Sequence, residues 1–127
     1  SQQELARGLL ERWGELRSLE IPVLVVADTP WMRKDVPDCL SALRVAPGAC
    51  DTPADVALKS PDSILLAMQS SPDVNFISVN DQICERGVCP SIRDDLILWR
   101  DRHHLTATYA RSFAPLLEPV IKKSLEN

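Results

Sequence analysis

The sequence predicts an α/β fold with parallel strands, and three stretches carry that prediction: an amphipathic helical segment at 2–18, a β-branched run at 21–27, and a second apolar run at 75–79. Helical patterns lie between the two runs, a β-α-β rhythm. Leu5, Leu9, Trp13 and Leu16 recur at four, four and three among Gln, Glu and Arg, one apolar stripe on a helix. Gly8 and Gly14 weaken that helix. Ile21-Pro22-Val23-Leu24-Val25-Val26-Ala27 shows no alternation, which fits a strand buried on both faces of a parallel sheet, and Pro22 can only begin it. The run ends at Asp28-Thr29-Pro30, a polar turn at the carboxyl end of a strand, where open α/β sheets place ligands. Asp28 is therefore a substrate-cleft candidate, set against a plain turn cap.

Pro30, Pro37, Pro47 and Pro53 mark a long irregular excursion. Helical character returns at 54–58 and at 60–68, the latter with Ser60 as cap and Pro61 at the first position. Asn75-Phe76-Ile77-Ser78-Val79 reads as the second strand. Thr106 stands where a cap would open a terminal helix over 106–125, with Tyr109, Phe113, Leu117, Val120 and Ile121 on its apolar stripe. Pro115 and Pro119 must bend or interrupt it.

Composition narrows the function classes. At 127 residues the chain holds one domain. Fourteen Lys and Arg against eighteen Asp and Glu give a net charge of −4, without the positive field that captures nucleic acid. The longest apolar run, Val23 to Ala27, is far shorter than a membrane-spanning helix requires. Ser1-Gln2-Gln3-Glu4 lacks the basic and apolar regions of a signal peptide, so an export signal would lie upstream.

Four cysteines fall as two local pairs in loops, Cys39 with Cys50 and Cys84 with Cys89. Three connectivities are formally possible, and local spacing favours 39–50 and 84–89. Closures this short each stabilise by about 2–3 kcal/mol in the loop-entropy model, and they imply an oxidising compartment. A zinc site using the four cysteines with His103 and His104, and four reduced, unrelated thiols, are the competing readings.

Trp99-Arg100-Asp101-Arg102-His103-His104-Leu105-Thr106 carries the chemistry. Asp101 and His104 stand three apart, so the carboxylate can meet the imidazole and hold it in one tautomer, the acid–base half of a nucleophile-His-Asp triad. A neutral His104 takes a proton from a serine hydroxyl and returns it to a leaving group. His103 competes for each role given to His104, and a capped turn with a bystander histidine is the plainer reading. The arginines at 93, 100 and 102 could meet an anionic glycan or a lipid headgroup or form a solvated surface, and Trp31 and Trp99 could stack on sugar or fill packing space.

Val25-Val26-Ala27-Asp28-Thr29-Pro30, Val36-Pro37-Asp38-Cys39-Leu40, Ile83-Cys84 with Val88-Cys89-Pro90, and Leu98 through Ala110 together resemble the C-terminal part of the SGNH (GDSL-like) domain fused to bacterial acyltransferase-3 membrane proteins, over residues 20–122. The resemblance implies a partial three-layer α/β/α, flavodoxin-like fold, with 1–127 forming the C-terminal portion of one such domain. It maps Asp101 to the triad acid and His104 to the base. It implies an extracytoplasmic domain, tethered to the cell membrane by an acyltransferase-3 segment of the same polypeptide, that takes part in O-acyl transfer to a cell-envelope glycan. No Gly-Asp-Ser block occurs in the chain, so the serine is expected elsewhere. A half-domain would need its other half, a swapped partner or a dimer to complete its sheet. No cofactor and no metal is called for. A freestanding SGNH esterase and a noncatalytic binding module are the alternatives.

Overall fold

The computed structural model describes residues 1–42, 44–58 and 62–126. In chain order the elements are α1 (Gln2–Ser18), β1 (Leu24–Val26), α2 (Val36–Ser41), β2 (Thr52–Pro53), α3 (Ala54–Ala57), α4 (Ser63–Ser70), β3 (Asn75–Ile77), α5 (Asn80–Ile83), β4 (Val88–Cys89), β5 (Ile92–Arg93), β6 (Leu96–Ile97), α6 (Ala107–Arg111) and α7 (Ala114–Leu125). The fold is mixed α/β with a parallel pair, β1 against β3, in the register Leu24–Asn75, Val25–Phe76 and Val26–Ile77. Contacts divide the chain into two compact units, one of Ser1–Asp28, Pro61–Ser78 and Pro115–Asn127, the other of Thr29–Ser60 and Val79–Ala114.

In the first unit, α1 opens with a capping box in which the Ser1 hydroxyl accepts from the Glu4 N–H and the Glu4 carboxylate binds the terminal amine. Its inward face is Ala6, Leu9, Leu10 and Trp13, which pack with Val25, Ala67 and Val74. The expected stripe is thus rotated: Ala6 joins the buried cluster and Leu5 is left 58% exposed. Gly8 and Gly14 have open space where a Cβ would stand. Replacing both with Ala is expected to stabilise the fold by about 1–2 kcal/mol, read as a higher urea midpoint. An unchanged midpoint would mean that α1 does not limit stability.

The strand prediction holds in place and type but not in burial. Val25 is buried under α1 and α4, whereas Val26, pointing the other way, is 45% exposed. Period-two geometry puts these neighbours on opposite faces, and Val25 is the one turned toward the cluster formed by α1 and α4. The Ser60 cap lies outside the described residues; Asp62 caps α4 instead, its Oδ1 accepting from the Ile64 N–H at 2.8 Å.

The second unit holds both disulfides, Cys39–Cys50 and Cys84–Cys89, and all four sulfurs are paired. The four-cysteine zinc reading and the reduced-thiol reading are thereby overturned. Neither pair is confined to loops: Cys39 sits in α2, which Asp35 caps through the Asp38 N–H with Pro37 in its first turn, and Cys89 lies in β4. Between Cys84 and Cys89 the chain makes a hairpin, with Glu85 bridged to Val88 and Arg86 and Gly87 both at positive φ. β5 and β6 form a second hairpin turned by Asp94 and Asp95, at φ 50° and 60°, the mirror-image turn whose twist suits antiparallel strands.

The expected single helix at 106–125 is two helices. The break falls at Ser112 and Phe113, where i to i−3 bonds tighten the end of α6. Pro115 then occupies the first turn of α7, where its missing N–H costs nothing, and Pro119 lies inside the helix. Thr106 opens α6 without capping it. Its hydroxyl donates to the Ile97 carbonyl at 2.9 Å, a long-range tie in place of the local one.

Candidate active site

The Asp101 loop is pinched at its neck by the Trp99–Leu105 bridge and by the Arg100 N–H donating to the His104 carbonyl at 2.8 Å. Inside it, Asp101 Oδ1 accepts from the backbone N–H groups of His103 and His104, both at 2.8 Å. The second oxygen, Oδ2, stands 2.7 Å from His104 Nδ1. An ionised carboxylate only accepts, so Nδ1 carries the proton and Nε2 is the basic nitrogen.

The two backbone bonds and the imidazole hold the Asp101 carboxyl well below the usual carboxylate range. A depressed folded-state value means that the carboxylate stabilises the fold above its unfolded value of about 3.9, and that this contribution is lost as pH falls through the lower folded value. The Asp101 carboxyl carbon resonance is therefore expected to show no step of the carboxyl's own near pH 4. A titration centred near pH 4 would show that the loop does not hold.

Residues far away in sequence buttress this loop. The Thr29 hydroxyl donates to the His103 carbonyl at 2.5 Å, the Met32 N–H donates to the Arg102 carbonyl at 2.7 Å, and Arg102 Nε returns a bond to the Met32 carbonyl at 3.2 Å. Trp31 lies flat on His103, ring centroids 4.3 Å apart and planes 8° from parallel, and His103 in turn touches His104 at 4.1 Å. Sequence reasoning pointed to the turn after β1 as a ligand end but gave no sign that it clips onto the histidine loop. Asp28 closes β1 in the first unit with its side chain exposed, and Thr29 onward belongs to the second.

His103, the rival of His104, has its Nδ1 3.8 Å from Asp101 Oδ1, beyond hydrogen-bond range, so the carboxylate selects His104. One ligand atom each from Asp101, His103 and His104 lie within 4.8 Å of one another, a grouping that a divalent cation can bridge. His104 is 54% exposed and Asp101 33%. Clefts of about 350 Å³ beside Arg17 and Asp73 and of about 410 Å³ beside Pro47 and Asp51 include neither.

Four other residues take structural roles. Arg93 is tied into the fold: its guanidinium donates to the carbonyls of Gln82 and Ile83 and to the Tyr109 hydroxyl at 2.8, 3.0 and 2.9 Å, and it lies 3.8 Å from the Glu85 carboxylate. Burial pushes the Tyr109 phenol up, and Arg93 partly offsets this. Trp99 is fully buried with its indole N–H on the Pro90 carbonyl. Ser91 is buried, its hydroxyl on Asp51 Oδ1 at 2.7 Å, and Ser41 bonds the Asp38 carbonyl.

No helix among the described residues is long and apolar enough to cross a membrane. The family model described as the SGNH domain (fused to AT3 domains) matches residues 1–119. No curated protein and no solved structure matches the chain.

Proposed function

The chain belongs to the SGNH domains fused to AT3 domains, and from that premise we propose that it serves O-acyl transfer to a cell-envelope glycan, with His104 as general base and Asp101 as its orienting acid. Family membership supports an SGNH-type acyl-transfer role and an acyltransferase-3 segment in the same polypeptide, and two disulfides fit an extracytoplasmic site. The observation that carries the catalytic reading is the 2.7 Å contact of His104 Nδ1 with a carboxylate whose other oxygen is fixed by two backbone N–H groups.

The nucleophilic serine belongs to a part of the domain outside these 127 residues, which also completes the sheet next to the exposed Val26; a dimer or swapped partner is the other way to cover it. His104 Nε2 removes the serine proton as the hydroxyl attacks the acyl donor, then gives that proton to the leaving group, and an acyl-serine remains. Nε2 next takes the proton of a glycan hydroxyl as that oxygen attacks the acyl-serine, and returns it to the serine as the ester forms. Asp28, at the carboxyl end of β1, is a further candidate for binding substrate.

The test is complementation. A strain lacking the full-length polypeptide should regain base-labile acyl esters on its envelope glycan with the wild-type gene and not with His104→Ala. Full recovery with that variant would sink the proposal in favour of a noncatalytic module.

A further inference from the structure

We propose that Trp31 is a sugar-stacking platform that sets acceptor specificity, seating a pyranose unit one or two residues along the chain from the hydroxyl that is acylated. This deepens the acyl-transfer reading and rests on it. Of the three tryptophans, Trp13 and Trp99 are buried, whereas Trp31 is 46% exposed even though one face of its indole is covered by His103. The sugar is placed on the indole face turned away from His103. A large aromatic left half in water next to a catalytic pair is a binding surface more readily than a packing element.

Its position is fixed before any ligand arrives. The Trp31 N–H donates to the Ala57 carbonyl at 2.9 Å, the Met32 N–H donates to the Arg102 carbonyl at 2.7 Å, and Pro30 on the other side is fully buried. The indole therefore sits on backbone anchored at successive residues, and binding needs little ordering of the protein. A pyranose presents axial C–H groups, weakly positive and apolar, on its faces, and these match the negative face of the indole ring. The equatorial hydroxyls stay at the rim, in water.

The spacing sets the register. From Trp31 to His104 there is one ring step of 4.3 Å through His103 and one of 4.1 Å, so a sugar on the outer face of Trp31 is not the sugar that meets Nε2. It is a neighbour in the same chain. Oligosaccharides are thus preferred to monosaccharides as acceptors.

The experiment uses the full-length polypeptide and the non-acylated tetra- to hexasaccharide fraction released from the envelope glycan of a strain lacking it. Calorimetric titration is expected to show binding by the wild type, about tenfold or more weaker binding by Trp31→Ala, and intermediate binding by Trp31→Phe, whose smaller ring preserves the stack on His103. Trp31→Phe also guards against a folding defect in the Ala variant. Equal affinities for wild type and Trp31→Ala would overturn the inference, and so would a wild type that does not bind the fraction. Persistence of cellular acylation with His104→Ala is read separately, and it removes the catalytic reading rather than the sugar platform.

Discussion

Asp101→Asn is expected to lower acyl transfer by the full-length polypeptide about 10³–10⁴-fold while leaving the loop folded. The asparagine carbonyl oxygen still accepts the two backbone N–H groups that Asp101 Oδ1 accepts now. Its amide nitrogen, however, replaces the oxygen facing His104 Nδ1. Two donors cannot face each other, so Nδ1 becomes the acceptor, the ring proton moves to Nε2, and the base presents its wrong nitrogen to the serine. The measurement is the initial rate of base-labile ester formation in membranes containing wild-type or variant protein, with circular dichroism confirming an unchanged fold. A loss smaller than about tenfold would mean that Asp101 only shapes the turn.

Breaking Cys39–Cys50 by Cys39→Ser with Cys50→Ser is expected to cost about 2–3 kcal/mol, or about 10 °C in melting temperature. The bridge closes an eleven-residue separation, the described residues between α2 and β2 form no helix or strand, and Cys50 is buried. Removing Cys84–Cys89 the same way should cost less, because the Glu85–Val88 bridge and the Arg86-Gly87 turn already hold those ends together. Thermal melts of the two double variants give the order directly. A larger loss at 84–89 than at 39–50 would contradict the loop-entropy account and assign the stabilisation to contacts made by the buried Cys89 sulfur.

What the sequence by itself determined lies within a few residues of chain. The span of α1, the positions of β1 and β3, both disulfides and the Asp101–His104 contact were all legible because each depends on short spacing: apolar residues recurring every three or four, a β-branched run, paired cysteines, a carboxylate three residues before an imidazole. Backbone geometry over so short a span has few alternatives. The tertiary structure alone decided the rest. Thr29, Trp31 and Met32 meet the histidine loop across seventy residues or more, a pairing that no local spacing encodes. Arg93 looked like surface charge until three acceptors from α5, its end and α6 converged on it. Thr106 gave up its local cap for the Ile97 carbonyl, and α1 turned Ala6 rather than Leu5 into the cluster it shares with Trp13, Val25, Ala67 and Val74. Local hydrogen bonds and periodicity choose the elements, whereas burial and long-range donors and acceptors choose which side of each element faces the protein.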